Sequence, residues 1–201
     1  VGGTLADIEH IISPKEPFGV PVTAACDVTN PLFGADGAAC VFAPQKGANA
    51  EQVRALDFGL RHMSKVLKRD LGFDSDNLPG AGAAGGLGAG AAAFLNARLK
   101  SGIDIVLDES GFDELAKNAD VIVTGEGRFD SQSIRGKVMS GVCKRAAKSG
   151  AAVYAVCGCA SSDADPAELG IKKLFVSSDV IRTMDELLIS CRSELYAAAT
   201  A

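Results

Sequence analysis

The C-terminal part of the chain alternates strand-type and helix-type patterns, and this alternation constrains its fold more than any other feature. Short apolar runs typical of buried strands are separated by amphipathic stretches such as GFDELAKNA and VMSGVCKRAAKSG. The runs are IDIVL (103–107), ADVIVTG (119–125), AAVYAVCG (151–158) and KKLFVS (172–177). Strand, crossover helix and strand at this spacing predict an α/β domain with a parallel sheet.

The N-terminal part predicts a short buried strand in VPVTAAC (20–26) and one long amphipathic helix over 49–70. Asn49 and Gln52 suit the start of that helix as a capping pair. The glycine-rich run beginning at Pro79 is expected to pass into a second helix that ends near 100–102. The change of pattern places a domain boundary near 103–112, and we take the domains as 1–108 and 109–201.

A closing helix is predicted after the last strand. Thr183 and Glu186 form a capping-box pattern at its start. Its inner, core-facing positions are expected to be Leu187, Leu188, Cys191 and Leu195.

The composition favours a small-molecule partner. The net charge of −5 and pI near 5.1 argue against a nucleic-acid or membrane-surface partner, which calls for a concentrated basic face. The first residues, VGGTLADIEHII, lack the basic and apolar regions of a secretory signal, and a cytoplasmic location is expected. Six scattered cysteines, mostly in apolar stretches, are expected to be reduced thiols.

The segment TGEGRFDSQSIRGK (124–137) is the strongest candidate for chemistry. It is read as a loop at the carboxyl end of a strand, the edge where parallel sheets bind ligands. Glu126 or Asp130 can accept a hydroxyl proton or hold a cation, and Arg128 can bind a carboxylate or phosphate. Lys137 and the helix that follows could bind phosphate, while Gly125 and Gly127 give the backbone room.

The segment PGAGAAGGLGAG (79–90) contains the spacing G-x-G-x-x-G, but no strand precedes it, which disfavours NAD binding. Gly82, Gly85 and Gly86 could instead bring backbone N–H groups to a phosphate at a helix start. The alternative is that the small residues only allow close packing of the helix.

Two shorter segments carry weaker signals. Asp27 and Asn30 follow the first predicted strand in DVTNPLFG, and Lys46 lies in APQKG. By residue type alone these are ordinary turn and surface residues.

Taken in order, five segments resemble the bacterial glycerate kinases that are built from two unlike α/β domains. The segments are CDVTNPLFG (26–34), GAACVFAPQKGA (37–48), PGAGAAGGLGAG (79–90), SGIDIVLD (101–108) and TGEGRFDSQSIRGK (124–137). The resemblance implies a flavodoxin-like, Rossmann-like parallel-sheet domain, of which residues 109–201 are the C-terminal half. Residues 1–108 would belong to a second α/β domain inserted into it. Family members carry further residues before this region, so the chain is expected to be the C-terminal portion.

The resemblance also implies a reaction, in which ATP and Mg²⁺ phosphorylate D-glycerate, with the 2-phospho product favoured. On chemical grounds Arg128 is assigned to the substrate carboxylate and Asp130 to the hydroxyl proton. Glu126 or Asp27 is assigned to Mg²⁺, and Lys46 and Lys137 to phosphates, as transfer of a phosphoryl group requires. Gly82, Gly85, Gly86, Gly125, Gly127 and Asn30 complete the predicted binding set. The expected partners are D-glycerate and ATP, and a homodimer is an open possibility.

Two other functional classes stay open. The chain could be a binding module that recognises a phosphorylated or carboxylated metabolite without catalysis. A nicotinamide-dependent oxidoreductase rests only on the glycine spacing at Gly80, Gly82 and Gly85.

Overall fold

The computed structural model describes residues 2–13, 16, 19–134, 138–178 and 184–200. The chain divides into two compact units, Val1–Gly102 and Ile103–Ala201. The division falls shortly before the boundary at 108/109, and the domain assignment made from the sequence stays a prediction. Within the described ranges, no helix combines the length and the apolar character needed to span a bilayer.

The first unit is mainly helical. Its elements are β1 (Thr23–Ala25), α1 (Ala38–Phe42), α2 (Ala50–Leu71), α3 (Leu87–Leu95) and β2 (Arg98–Lys100), joined in places by short 3-10 turns. The two strands pair in parallel, with Thr23 opposite Arg98. The core of this unit lies between α1, α2 and the glycine-rich segment, where Leu32 and Leu60 pack with buried alanines.

The long helix is confirmed, and its capping pair explains where it starts. Gln52 donates its backbone N–H to Asn49 Oδ1 at 2.9 Å, and Asn49 donates its own to Gln52 Oε1 at 2.8 Å. These two bonds satisfy amide groups that have no partner inside the helix. Gly72 closes the other end in a left-handed conformation.

Two predictions for the first unit are wrong. The strand at 23–25 forms but is not buried, because its side chains are exposed or half-buried in a two-stranded sheet. The second helix does not reach 100. It ends at Leu95, where Asn96 turns left-handed with φ +51°, and 98–100 becomes strand β2. Pairing with β1 decides the conformation of this short stretch, which no local pattern indicates.

The second unit is built on a parallel sheet of three strands. Its elements are α4 (Gly102–Glu109), α5 (Phe112–Ala116), β3 (Val121–Phe129), α6 (Ser131–Ile134), α7 (Val138–Ala146), β4 (Ala152–Ala160), β5 (Ile171–Val176) and α8 (Met184–Thr200). The strand order is β3-β4-β5. Helix α7 packs on β3 and β4 through Met139, Val142, Cys143 and Ala146, against the buried alternate residues of β4. The predicted α/β class with parallel strands is confirmed.

The run IDIVL (103–107) was predicted as a strand and is instead part of helix α4. Asp27 accepts the N–H of Gly102 at 2.8 Å at the start of this helix. Asp104 and Asp108, one helical turn apart, both contact the guanidinium of Arg145, whose side chain is half-buried. A short apolar run fits either conformation, and these contacts from distant residues select the helix.

The closing helix is confirmed, but its predicted core-facing side is wrong. Leu188 is 70% exposed, Leu195 is 50% exposed and Cys191 is also exposed, although α8 packs on β4 and β5. The capping residue Thr183 and the side chain of Leu187 lie outside the described residues.

Candidate functional site

The segment predicted as a loop is largely a strand. β3 continues through Gly125, Glu126, Gly127 and Arg128 to Phe129, paired in parallel with β4. The correction has a physical basis, because charged residues and glycines alternate here with the period of two that a strand requires. Glu126 and Arg128 therefore lie on one face of the sheet, near its carboxyl edge.

Glu126 presents an unsatisfied acceptor inside the second unit. Its Oε1 is buried and has no hydrogen-bond partner among the described residues. Cys157 lies opposite it on β4, and burial raises the pKa of that thiol to about 11, with Cys159 and Glu126 adding to the rise. A buried carboxylate oxygen without a partner is costly unless a cation or a hydroxyl satisfies it. Glu126 therefore fits a ligand for Mg²⁺.

A full protein cage for a metal ion is absent from the described ranges, where no group of three or more His, Cys, Asp or Glu residues has metal-binding geometry. Mg²⁺ in phosphoryl-transfer sites commonly takes one or two carboxylates, with water and phosphate completing the shell. Glu126 alone is compatible with that arrangement.

Asp130 is oriented by the start of α6. Its Oδ1 accepts the N–H of Gln132 at 2.9 Å, and its own N–H donates to Ser133 Oγ at 3.0 Å. Its second oxygen, Oδ2, lies 3.7 Å from Nε of Arg128, whose side chain is 65% exposed. One oxygen therefore fixes the carboxylate, and the other is left facing an accessible guanidinium.

Asp163 is a further carboxylate at the carboxyl edge of the sheet, near Asp130, and it was not among the residues predicted from the sequence. Hydrogen bonds from Ser161 and Ser131 lower the pKa of this carboxylate. Ser131 begins α6 after β3, and Ser161 follows β4 and donates its N–H to the carbonyl of Phe129 at 2.8 Å. The position of Ser161 and Asp163 just after the predicted strand at 151–158 is the sequence pattern that could have indicated them. Lys137 lies outside the described residues.

The two glycines of β3 differ in their surroundings. A Cβ on Gly125 would lie 2.5 Å from the carbonyl oxygen of Val156, whereas a Cβ on Gly127 would meet nothing within 4 Å. Packing requires the first glycine. The second has open space on the face of the sheet opposite to Glu126 and Arg128, because neighbouring residues of a strand point to opposite faces.

In the first unit, the glycine-rich segment packs directly on the loop of Asn30. A Cβ on Gly82 would lie 2.2 Å from the carbonyl oxygen of Pro31, and one on Gly88 would lie 2.1 Å from that of Gly80. The N–H of Gly82 donates to the carbonyl of Asn30 at 3.0 Å. Asn30 Nδ2 in turn donates to the carbonyl of Asp36 at 2.8 Å. These contacts bring two of the predicted segments together.

Three consecutive residues of this segment are left-handed, with φ of +50° at Ala84, +73° at Gly85 and +103° at Gly86. This conformation is unfavourable for alanine and is often retained at functional sites. The N–H groups of Gly85 and Gly86 donate within the turn, to Gly82 and Ala83. The glycines thus shape the turn, and their N–H groups are already used.

Lys46 and the left-handed turn line the same cavity, of about 400 Å³. The ammonium group of Lys46 is exposed and has no ion-pair or hydrogen-bond partner in the part of the chain that the structure describes. Asp27, by contrast, holds the start of α4 through Gly102. Of the weaker predicted residues, Lys46 is thus the one placed beside the glycine turn, with its charge available.

These features define a class of protein. The second unit carries an arginine and carboxylates at the end of a parallel strand. Taken separately, the first unit has a lysine beside a glycine turn, and this lysine has no partner among the described residues. Such groups suit an acidic, phosphorylated small molecule. The chain matches the profile described as the glycerate kinase family over residues 1–201, and it belongs to that family.

Individual relatives agree with the family match. The chain is 42% identical over 202 residues to the glycerate kinase of Halalkalibacterium halodurans, covering 98% of this chain and 53% of that protein. It is 43% identical over 208 residues to the glycerate 2-kinase of Escherichia coli (strain K12), covering 99% and 55%. The crystal structure of a protein assigned as glycerate kinase 2 from Salmonella typhimurium LT2 superposes with a TM-score of 0.79 at 37% identity, covering 99% and 54%. The chain therefore spans about half the length of these relatives.

Proposed function

We propose that this chain carries part of the active site of an ATP-dependent glycerate kinase that forms 2-phosphoglycerate. The observation that carries the proposal is the same-face placement of Glu126 and Arg128 on β3, with Asp130 at the end of that strand. The names of the relatives support glycerate as the substrate, and the E. coli name supports the 2-position.

The substrate contacts follow from the charges. The exposed guanidinium of Arg128 binds the glycerate carboxylate. Gly125 keeps β3 close to β4 and so holds Glu126 and Arg128 in register. Binding in this way fixes the acceptor hydroxyl, and positioning accounts for much of the rate in phosphoryl transfer.

Asp130 accepts the proton of the reacting hydroxyl. The hydroxyl oxygen forms a bond to the γ-phosphorus while the bond from that phosphorus to the β–γ bridging oxygen breaks, and ADP leaves. Oδ1 of Asp130 is held by the N–H of Gln132, so Oδ2 is the oxygen that receives the proton.

The remaining residues are proposed to help neutralise the negative charge of the phosphates. When bound, Mg²⁺ would neutralise charge on the phosphate oxygens. Glu126 would hold it through Oε1, which has no partner within the described part of the chain, and Asp27 is the second candidate. Lys46 and Lys137 contribute further positive charge. Gly82, Gly85, Gly86 and Asn30 support Lys46 by shaping the turn beside it.

The proposal is tested by ADP formation that depends on D-glycerate, in the intact protein that contains this chain, followed by Asp130→Asn. Asparagine keeps an Oδ1 to cap α6 but does not accept the proton, and we expect turnover to fall by about 10²- to 10⁴-fold. NMR of the product identifies the phosphorylated hydroxyl.

Asp165→Asn is the matched control, because Asp165 also accepts an N–H two residues ahead, from Ala167 at 2.9 Å, and starts a short 3-10 turn. We expect it to retain turnover. Wild-type turnover in Asp130→Asn would remove Asp130 from the mechanism. Binding of glycerate and ATP without ADP formation would favour the non-catalytic binding module.

A further inference from the structure

The cavity beside Lys46 in the first unit combines apolar walls with one charge. Its apolar lining includes Leu5, Phe42, Leu56 and Leu60. Lys46 is the charged lining residue, and Ala84 and Gly85 contribute the left-handed turn. We call this space the Lys46 cavity.

The size and lining of the Lys46 cavity suit a flat apolar ring better than a small polar acid. At about 400 Å³ it lies within the range of pockets that hold small organic ligands. Glycerate has three carbons, two hydroxyls and a carboxylate, and its polar groups would lose their hydrogen bonds against leucine and phenylalanine walls. A purine base buries two apolar faces there.

The charge of Lys46 adds a requirement for an anion attached to that ring. The ammonium is accessible and unpaired within the described ranges, so a ligand does not have to displace an internal partner. A Cβ on Gly85 would meet nothing within 4 Å, and a ligand can therefore approach the backbone of the turn closely. The strained conformation of Ala84 at the same place is consistent with a binding turn.

A neighbouring cavity of about 390 Å³ shares Leu5, Leu60 and Gly85 with the Lys46 cavity. Its lining contains no charged residue, and it extends along Phe94 and Leu95 of α3. This neighbouring cavity has no positive charge to bind an anion. The presence of Lys46 therefore favours the Lys46 cavity for a ligand that has both a ring and phosphates.

We propose that the Lys46 cavity binds the nucleoside end of ATP, with the base against Phe42 and the leucines and the phosphates leaving past Lys46. The inference rests on the proposed function, since it assumes that ATP is the phosphate donor. It assigns a place to the base, which no motif in the sequence indicates.

Calorimetry on the intact protein that contains this chain tests the inference with ATP, adenosine and inorganic triphosphate as probes. ATP is expected to bind more tightly than either of the others, because it alone supplies both the ring and the charge. Lys46→Met is expected to weaken the binding of ATP about 10- to 100-fold, which corresponds to the loss of one charged contact. The affinity for adenosine is expected to stay unchanged. Lys65→Met is the matched control, because Lys65 is an exposed lysine of α2 outside the cavity lining.

A second variant addresses the base. Ala43 lines the cavity, is half-buried and has helical φ and ψ, so Ala43→Leu fills the space with little backbone strain. Ala43→Leu is expected to weaken the binding of both ATP and adenosine by about 10-fold or more. Circular dichroism should show that the fold is unchanged. The comparison of ATP, adenosine and triphosphate uses the unmodified protein, so its outcome does not depend on whether a variant folds.

Triphosphate binding as tightly as ATP, or an unchanged ATP affinity in folded Ala43→Leu, would overturn the inference. Failure of the intact protein to bind ATP would do so as well. The proposed function has a separate readout in glycerate-dependent ADP formation by the intact protein. If that activity is present and Lys46→Met and Ala43→Leu leave KM for ATP unchanged, only the present inference fails.

Discussion

The glycine-rich segment at 79–90 and strand β3 both contain closely spaced glycines, but these glycines have different structural roles. In the first, Gly82 and Gly88 let backbone meet backbone, with a Cβ leaving only 2.2 and 2.1 Å to a carbonyl oxygen. In the second, glycines alternate with Glu126 and Arg128 along a strand. Both regions therefore contain glycines that a close backbone contact requires, and β3 differs in that its glycines also alternate with charged residues.

Each region also contains one glycine with open space, Gly85 in the turn and Gly127 in the strand. Neither is required by contact with a neighbouring atom, although Gly85 has φ of +73°. Both open glycines adjoin the residues proposed to bind ligands, Lys46 and Arg128. Packed glycines should therefore govern stability, and the open glycine of β3 should tolerate a methyl group.

Gly88→Ala should give the largest loss of stability. Its Cβ would clash with the backbone carbonyl of Gly80, which no side-chain movement relieves, and we expect a loss of about 3 kcal/mol in the free energy of unfolding. Gly90→Ala in the same helix is the control. Its Cβ would sit 3.9 Å from Phe94, and it should gain up to about 1 kcal/mol from helix propensity. Urea unfolding of both variants measures the difference, and equal stabilities would contradict this account of the segment.

Gly125→Ala and Gly127→Ala should distinguish a packed glycine from an open one on β3. The first places a Cβ 2.5 Å from the carbonyl oxygen of Val156, and we expect a loss of about 1–2 kcal/mol in the free energy of unfolding. The second should leave the unfolding midpoint in urea near that of wild type, because its Cβ meets nothing within 4 Å. Its methyl group would lie on the face opposite to Arg128, so KM for glycerate in the intact protein should also stay near that of wild type. Equal losses of stability in the two variants would remove the distinction between packed and open glycines.

Ala84→Gly should give the smallest effect, and its sign is informative. Glycine removes the steric cost of φ +50°, while the unfolded chain gains freedom, and we expect a net rise of about 0.5 kcal/mol in the free energy of unfolding. Ala83→Gly, next to it in the turn and not left-handed, should lower the stability by a similar amount. A thermal unfolding series resolves the order, and a loss in Ala84→Gly would show that the turn is not strained.

The parts of the fold that local sequence predicts are those whose stabilising groups are close in the chain. Helix α2 was predicted because its apolar spacing runs over many turns and Asn49 and Gln52 cap each other. The strands of the second unit were predicted from their apolar runs. Strand β2 and helix α4 were not, because β2 needs β1, and α4 is held by Asp27 and Arg145.

The sequence by itself determined the family and the α/β class, because the motifs and the apolar runs are local patterns. The segment of Glu126 and Arg128 was predicted as a loop, and its pairing with β4 made it a strand with both side chains on one face. Only the tertiary structure decided which charges remain unsatisfied. It buried Oε1 of Glu126 with no hydrogen-bond partner among the residues that the structure describes, and it brought Lys46 to the cavity of Gly85 across distant segments. Burial and ion pairing depend on atoms supplied by the whole fold, and no local pattern contains them.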